Sequence, residues 1–323
     1  MGKAKDYRWR GALAAMALLG AASARADDWD KKLQTCAFGA PSPAMVACTS
    51  MIDNLLEPPG AKSVALNNRA RAHMQLAEWD LALTDLNKAI ALKPGSALYY
   101  YNRGVVFSDG KAMPARAVQD FSQAIALQPI YAEAFNNRGL AKLTLGQVDE
   151  AVADFSTALK QNPKLDAALT NRGGAYARQK KYKAALSDVD AALKVDAAKP
   201  GRWAARCRMK IAIAARPGLP NLDALGVAEG DCAQALTLDP ANPEARNGQA
   251  IIKLIENDLN GALADFQTVI AADPKNATAL FGRGLAKQGR GDAGGAATDM
   301  SAAKQVSPLV TAEYWEANLI PNP

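Results

Sequence analysis

Pro94, Pro129, Pro163, Pro240, Pro274 and Pro308 punctuate this 323-residue chain at intervals of 35, 34, 77, 34 and 34 residues, and Ala197 stands where one proline is missing, dividing 77 into 34 and 43. A period of that length constrains the fold more tightly than any other feature. Each copy holds two helical stretches and a turn, too little chain to bury an apolar face alone, so successive copies must stack. Seven copies run from residue 63 to 308. Their first halves range from ALNNRARAHMQL at Ala65 to LFGRGLAKQGRG at Leu280, and their second halves from DLALTDLNKAIAL to GGAATDMSAAKQV. Aromatic residues make up only 6% while alanine recurs, which suits closely packed helices better than strands and predicts an all-α protein.

The pattern resembles the tetratricopeptide repeat family. In its motif small residues stand at repeat positions 8 and 20, a large one at 24 and proline at 32. Position 8 is here Ala70, Gly104, Gly139, Gly173, Cys207, Ala250 and Gly284; position 20 is alanine in all seven copies, from Ala82 to Ala296. Leu86, Phe121, Phe155, Phe266 and Met300 stand at position 24. Small residues let helix A and helix B of a repeat approach, and the large one fills the adjoining volume. The resemblance implies a right-handed α-solenoid of about seven helix pairs with partial terminal caps. The expected organisation is a leader over 1–26, an N-terminal cap over 27–62, repeats over 63–308 and a C-terminal capping helix and tail over 309–323, with Tyr314 and Trp315 covering the last repeat. In the cap, Asp28 to Cys36 reads as a shortened helix A before a CAFGAPSPA turn. One extra residue around Asp109 to Pro114, and nine extra in the fifth copy's A–B turn, which runs through Arg216 to Pro220, are expected to protrude as loops.

Position 7 carries Arg69, Arg103, Arg138, Arg172, Arg206 and Arg283, with Gln249 as the exception, and position 23 is Asp in all seven copies, from Asp85 to Asp299. An anion-binding ladder is one reading. The fixed-offset carboxylate on the neighbouring helix favours the other, a structural ladder of bidentate pairs. His73 is expected to pack as a polar-tipped side chain.

The first 26 residues hold Lys3, Lys5, Arg8, Arg10 and Arg25, an apolar run from Gly11 to Ala24, and small-x-small sites at 22–24 and 24–26. This is the pattern of an export leader removed after Ala26, with an uncleaved anchor as the alternative. The apolar run is shorter than the roughly 20 residues of a membrane-crossing helix, so no stable membrane insertion is expected once the leader is gone. A periplasmic or secreted location follows. The rest of the chain is nearly balanced in charge, which argues against a nucleic-acid partner. Cys36, Cys48, Cys207 and Cys232 permit three complete pairings. In an oxidising compartment the local pairs Cys36–Cys48 and Cys207–Cys232 are expected, with free buried thiols as the alternative. The resemblance adds that Cys207 and Cys232 occupy positions 8 and 24, which face each other across the A–B interface.

No nucleophile–base set, phosphate loop or zinc spacing is present, so neither an enzyme nor a cofactor or metal is expected. Function then falls to the concave face that the A helices line in the family. Its positions point to Asn67, Arg71, Tyr101, Val105, Asn136, Leu140, Asn247, Ile251, Phe281 and Leu285 as a peptide-binding set, with Tyr101, Leu140, Ile251 and Phe281 as apolar anchors and Asn67 and Asn136 pairing a peptide backbone. The lysines of a terminal-carboxylate clamp are not reproduced. The expected function is a periplasmic protein-interaction scaffold for a peptide or partner protein. A structural spacer, or a non-catalytic accessory factor in cell-envelope or polysaccharide processing, is the alternative, and the Arg216–Leu225 loop is a competing binding surface.

Overall fold

The computed structural model describes residues 25–54, 56–215, 221–307 and 310. The leader's first 24 positions, Arg216–Pro220 and the C-terminal tail from Thr311 onward lie outside the described residues. The chain divides into two compact halves, Met1–Gln161 and Asn162–Pro323. The N-terminal half contains α1 (Arg25–Phe38), α2 (Pro41–Asp53), α3 (Pro59–Gln75), α4 (Trp79–Leu92), α5 (Ala97–Val105), α6 (Pro114–Leu127), α7 (Ala132–Thr144) and α8 (Val148–Gln161). The C-terminal half contains α9 (Asp166–Arg178), α10 (Tyr182–Val195), α11 (Pro200–Ala214), α12 (Leu222–Leu238), α13 (Pro243–Ile255), α14 (Leu259–Ala272), α15 (Ala277–Gly289) and α16 (Ala293–Val306). Odd-numbered helices are the A members of successive pairs and even-numbered ones the B members. No strand occurs among the described residues.

Local chemistry sets these helix ends. Proline opens α2, α3, α6, α11 and α13, where its missing N–H is an orphan in any case. The A–B turn needs one left-handed residue, found at Gly146 and Gly291 but also at Ala77, Ala112, Lys180 and Asn257. Between the paired helices the small-against-large pattern forms the core. A Cβ added at Gly104 would lie 2.7 Å from the Phe121 ring, at Gly139 2.8 Å from Phe155 and at Gly284 2.8 Å from Met300. Phe121, Phe155 and Phe266 are fully buried.

Both disulfides form as the local pairing predicts. Cys36–Cys48 joins α1 to α2 with Cα atoms 4.9 Å apart, and Cys207–Cys232 joins α11 to α12 at 5.4 Å. The second replaces the small-against-large contact of repeat five and presses on the next repeat. A Cβ at Gly248 of α13 would lie 2.5 Å from Cys232 Sγ and 3.2 Å from Cys207 Sγ.

Three expectations are corrected. The extra residue of repeat two does not protrude; it is wound into a π-helical turn over Val106–Gly110 that continues α5. Val106 and Phe107 of that turn are buried, and Gly110 lies against the Trp79 ring of α4, so unwinding it would expose core. In repeat five, part of the insertion is helical: α12 has 17 residues against 14 in α4, α6, α8, α10, α14 and α16. Asn221 caps it by accepting from the Ala224 N–H at 3.1 Å, and Leu225 is fully buried, so 222–225 is not loop. In the N-terminal cap, α1 starts at Arg25 rather than Asp28 and its turn into α2 is only Gly39 and Ala40.

Candidate functional site

The Arg–Asp ladder is structural. Arg69, Arg103, Arg138, Arg172, Arg206 and Arg283 each place Nε and Nη2 on the two carboxylate oxygens of Asp85, Asp120, Asp154, Asp188, Asp231 and Asp299, at 2.7–2.9 Å. The remaining Nη1 reaches the preceding helix B: Thr49, Asn87 and Ser122 accept it in the N-terminal half, Asp190 and Gln267 in the C-terminal half. All five acceptors stand at repeat position 25, so each of these arginines ties its own A–B pair to the pair before it. Rings at position 4 stack on several of them, Tyr100 under Arg103, Phe135 under Arg138 and Trp203 under Arg206. Among the described residues, the forks of these six arginines are committed to carboxylates and so are not a free ladder for an anion.

Two parts of this network escaped sequence reasoning. A second cation stands at position 11, one helical turn after the arginine: Lys142, Lys210, Lys253 and Lys287 lie 2.7–2.9 Å from Asp154, Asp231, Asp265 and Asp299. In repeat one His73 takes that seat, with Nδ1 2.6 Å from Glu78 Oε2 and Nε2 3.8 Å from Asp85. The recurrence of lysine four residues beyond the arginine was the available signal. In repeat six, Gln249 replaces the arginine and Ala233 replaces the position-25 acceptor, so donor and acceptor are lost together. There Asp265 is held by Lys253 and, more loosely, by Arg246 at 3.4 Å.

The A-helix face of the N-terminal half is floored by a buried polar row. Asn102 Nδ2 donates to Asn67 Oδ1 at 2.7 Å, and Asn137 Nδ2 to the Tyr101 hydroxyl at 2.9 Å. Asn136 Nδ2 donates to Asn137 Oδ1 at 3.0 Å. The Tyr101 ring packs 5.0 Å from Tyr131 and 5.7 Å from Phe121. Burial, reinforced by the Glu133 carboxylate, pushes both tyrosine hydroxyls well above their ordinary range. Arg71 directs Nη1 toward the Ala37 carbonyl at 3.5 Å, at the end of α1, and burial lowers its pKa. In the C-terminal half Asn247 Nδ2 donates to Asn276 Oδ1 at 3.2 Å, and Asn276 caps α15.

Accessibility sorts the sequence-derived set. Asn67, Tyr101, Val105, Asn136, Asn247 and Phe281 are all less than a tenth exposed, so the expected anchors Tyr101 and Phe281 and the expected backbone partners Asn67 and Asn136 lie beneath the surface as support. Leu140 is 37% exposed. Arg71, Ile251 and Leu285 are half-buried. The accessible part is thus Arg71 and Leu140 in one half, and Ile251 and Leu285 in the other. In the same half Arg208 of α11 and Glu244 of α13 form an exposed ion pair at 2.9 Å.

The tetratricopeptide repeat profile matches residues 67–129, 111–164, 136–202 and 254–308, together more than half the chain. The chain belongs to the tetratricopeptide repeat family. A tetratricopeptide repeat protein from Parabacteroides merdae is similar at TM-score 0.61 and 19% identity, over 79% of this chain and 98% of that one. The C-terminal part of a TPR repeat-containing protein from Cytophaga hutchinsonii follows at 0.55 and 17%, over 79% and 98%. MamA from Desulfovibrio magneticus reaches 0.50 and 16%, over 57% and 99%. At these identities the likeness is one of fold. No curated protein matches the sequence. Among the described residues no group of three or more His, Cys, Asp or Glu side chains could hold a metal, and no helix is long and apolar enough to cross a membrane.

Proposed function

We propose that this tetratricopeptide repeat scaffold is exported to the periplasm and binds an extended segment of a partner protein along its A-helix faces. The observation that carries the reading is the accessible apolar surface left on those helices. Leu140 on α7 stays 37% exposed, and Ile251 on α13 and Leu285 on α15 stay half-buried. Polar groups come from Arg71 on α3 in the N-terminal half and from the Arg208–Glu244 pair in the C-terminal half, and in the N-terminal half the buried Asn67, Asn102, Asn136 and Tyr101 hold the face rigid, which lowers the ordering cost of binding. Export is supported by the leader pattern and by two disulfides, which persist in oxidising compartments.

The test has two parts. Fractionation with mass measurement should recover a periplasmic chain beginning at Asp27, and a full-length cytoplasmic chain would remove the export reading. Affinity capture from a periplasmic extract, with Leu140→Glu and Arg208→Glu as face variants and Lys160→Ala as an outer-face control, should lose partner only with the face variants. Loss with Lys160→Ala and retention with the other two would move the site off the A helices.

A further inference from the structure

The C-terminal half carries its charge unevenly. From Lys164 to Lys210 twelve lysines and arginines stand against four aspartates, whereas from Ile211 to Val310 eight stand against eleven acidic residues. All four of those aspartates are already engaged: Asp188 by Arg172 at 2.7 Å, Asp190 by Arg206 at 2.9 Å, Asp166 by Arg202 and, at 3.3 Å, by Lys199, and Asp196 by Arg202 at 3.9 Å. Lys164, Lys181, Lys183 and Lys194 are left exposed, and none of them is in an ion pair among the described residues. Three of the four belong to α10. Lys183 and Lys194 lie eleven residues apart, about three helical turns, which sets them on one line of the helix roughly 16 Å long with the exposed Ser187 between them. Lys181 is the N-cap, and Lys164 precedes α9 at the end where the antiparallel α10 finishes.

Helix stability does not account for these lysines. At the N-caps of α12, α14 and α16 stand Asn221, Asp258 and Asp292, each accepting a backbone N–H, while Lys181 makes no such bond. The first turn of α10 also holds no acidic residue and places Lys183 there, against the helix dipole. Both choices give up local stability, as sequences do where function sets the residue.

We propose that the exposed face of α10, with Lys164, Lys181, Lys183 and Lys194, docks the protein on an anionic phospholipid surface. Charge complementarity gives the sign of the partner, and the layout gives its form. No large apolar side chain is exposed between Lys183 and Lys194. A protein segment draws most of its binding energy from such anchors, whereas a bilayer meets spread charges with many mobile headgroups at once. The free cations are lysines, compact point charges, and lack the planar fork with which arginine selects a single carboxylate. Each lysine held near an anionic bilayer raises affinity about fivefold, so four give a reversible attachment that salt weakens. This surface is separate from the A-helix faces, and its test does not depend on their partner.

Acetylation of surface lysines in the full chain, read site by site by mass spectrometry, tests the docking. At low salt, phosphatidylcholine vesicles containing about one third phosphatidylglycerol should slow modification of Lys164, Lys181, Lys183 and Lys194 at least about fivefold, and vesicles of phosphatidylcholine alone should not. The exposed Lys88 and Lys275 should keep their rates in both. Replacing Lys181, Lys183 and Lys194 together by Gln should raise the lipid concentration needed to protect Lys164 about a hundredfold while helical circular dichroism persists. No slowing at the four lysines, equal slowing at Lys88 and Lys275, or unchanged protection of Lys164 in the triple variant would overturn the proposal. Slowing by polyglutamate but not by the anionic vesicles would assign the face to an acidic protein segment and overturn it equally.

Discussion

Removing both members of a ladder pair should cost clearly less than the sum of removing each alone. Arg103 and Asp120 are the cleanest pair, because repeat two has Phe107 rather than lysine at position 11. The guanidinium donates at 2.7 and 2.8 Å to a carboxylate whose side chain is 8% exposed, and its remaining nitrogen bonds Asn87 at 2.8 Å. Arg103→Met strands a buried carboxylate, and breaking such pairs costs about 3–5 kcal/mol. The opposite change, Asp120→Leu, leaves a guanidinium that is 22% exposed and partly rehydrated, so about 2–3 kcal/mol is expected. In the double variant neither charge is stranded. It should recover at least about 2 kcal/mol relative to the sum of the singles, a coupling within the range for contacting residues. Because stacked repeats can unfold in parts, hydrogen exchange of α5 and α6 should be read alongside urea midpoints. Additivity within about 0.5 kcal/mol, or a loss below about 1 kcal/mol for Arg103→Met, would show that the pair does not hold the repeat together.

Left-handed turns make a second case: Ala77→Gly and Lys180→Gly should each raise stability by up to about 1 kcal/mol, while Gly146→Ala lowers it comparably, as thermal midpoints would register. Gly248→Ala forces a methyl group against the Cys207–Cys232 bridge and should cost about 1–3 kcal/mol, seen as faster exchange in α12 and α13; unchanged rates would mean that α13 shifts freely. Burial alone would raise the Asp299 pKa, but hydrogen bonds from Arg283 and Lys287 outweigh it and hold the carboxyl below its usual range. A depressed folded pKa contributes stability above the unfolded value and loses it as pH falls through the folded one. Exchange in α15 and α16 should therefore accelerate below about pH 4, and Asp299→Asn should flatten that dependence from a lower starting stability.

Helix pairing was legible because it depends on offsets along the chain. A glycine at position 8 and a large residue at position 24 meet wherever two helices of this length fold back, as Gly139 and Phe155 do. Arg138 and Asp154 meet for the same reason. Cys207 and Cys232 occupy the same repeat positions 8 and 24, though the insertion sets them 25 residues apart, and their link was legible too. The fit between repeats was not legible, because it depends on how neighbouring pairs settle against each other. Burial of Tyr101 beneath Tyr131, the Asn67–Asn102 bond and the choice of Thr49, Asn87 or Ser122 as third partner arise only once two pairs are docked. The extra residue of repeat two makes the same point. Composition marked Asp109 to Pro114 as a turn, yet the Trp79 ring on the preceding pair and the core-seeking Val106 and Phe107 favour a π-helical turn over a loop. Sequence periodicity determined which helices pair; packing between pairs decided which side chains remain at the surface to meet a partner.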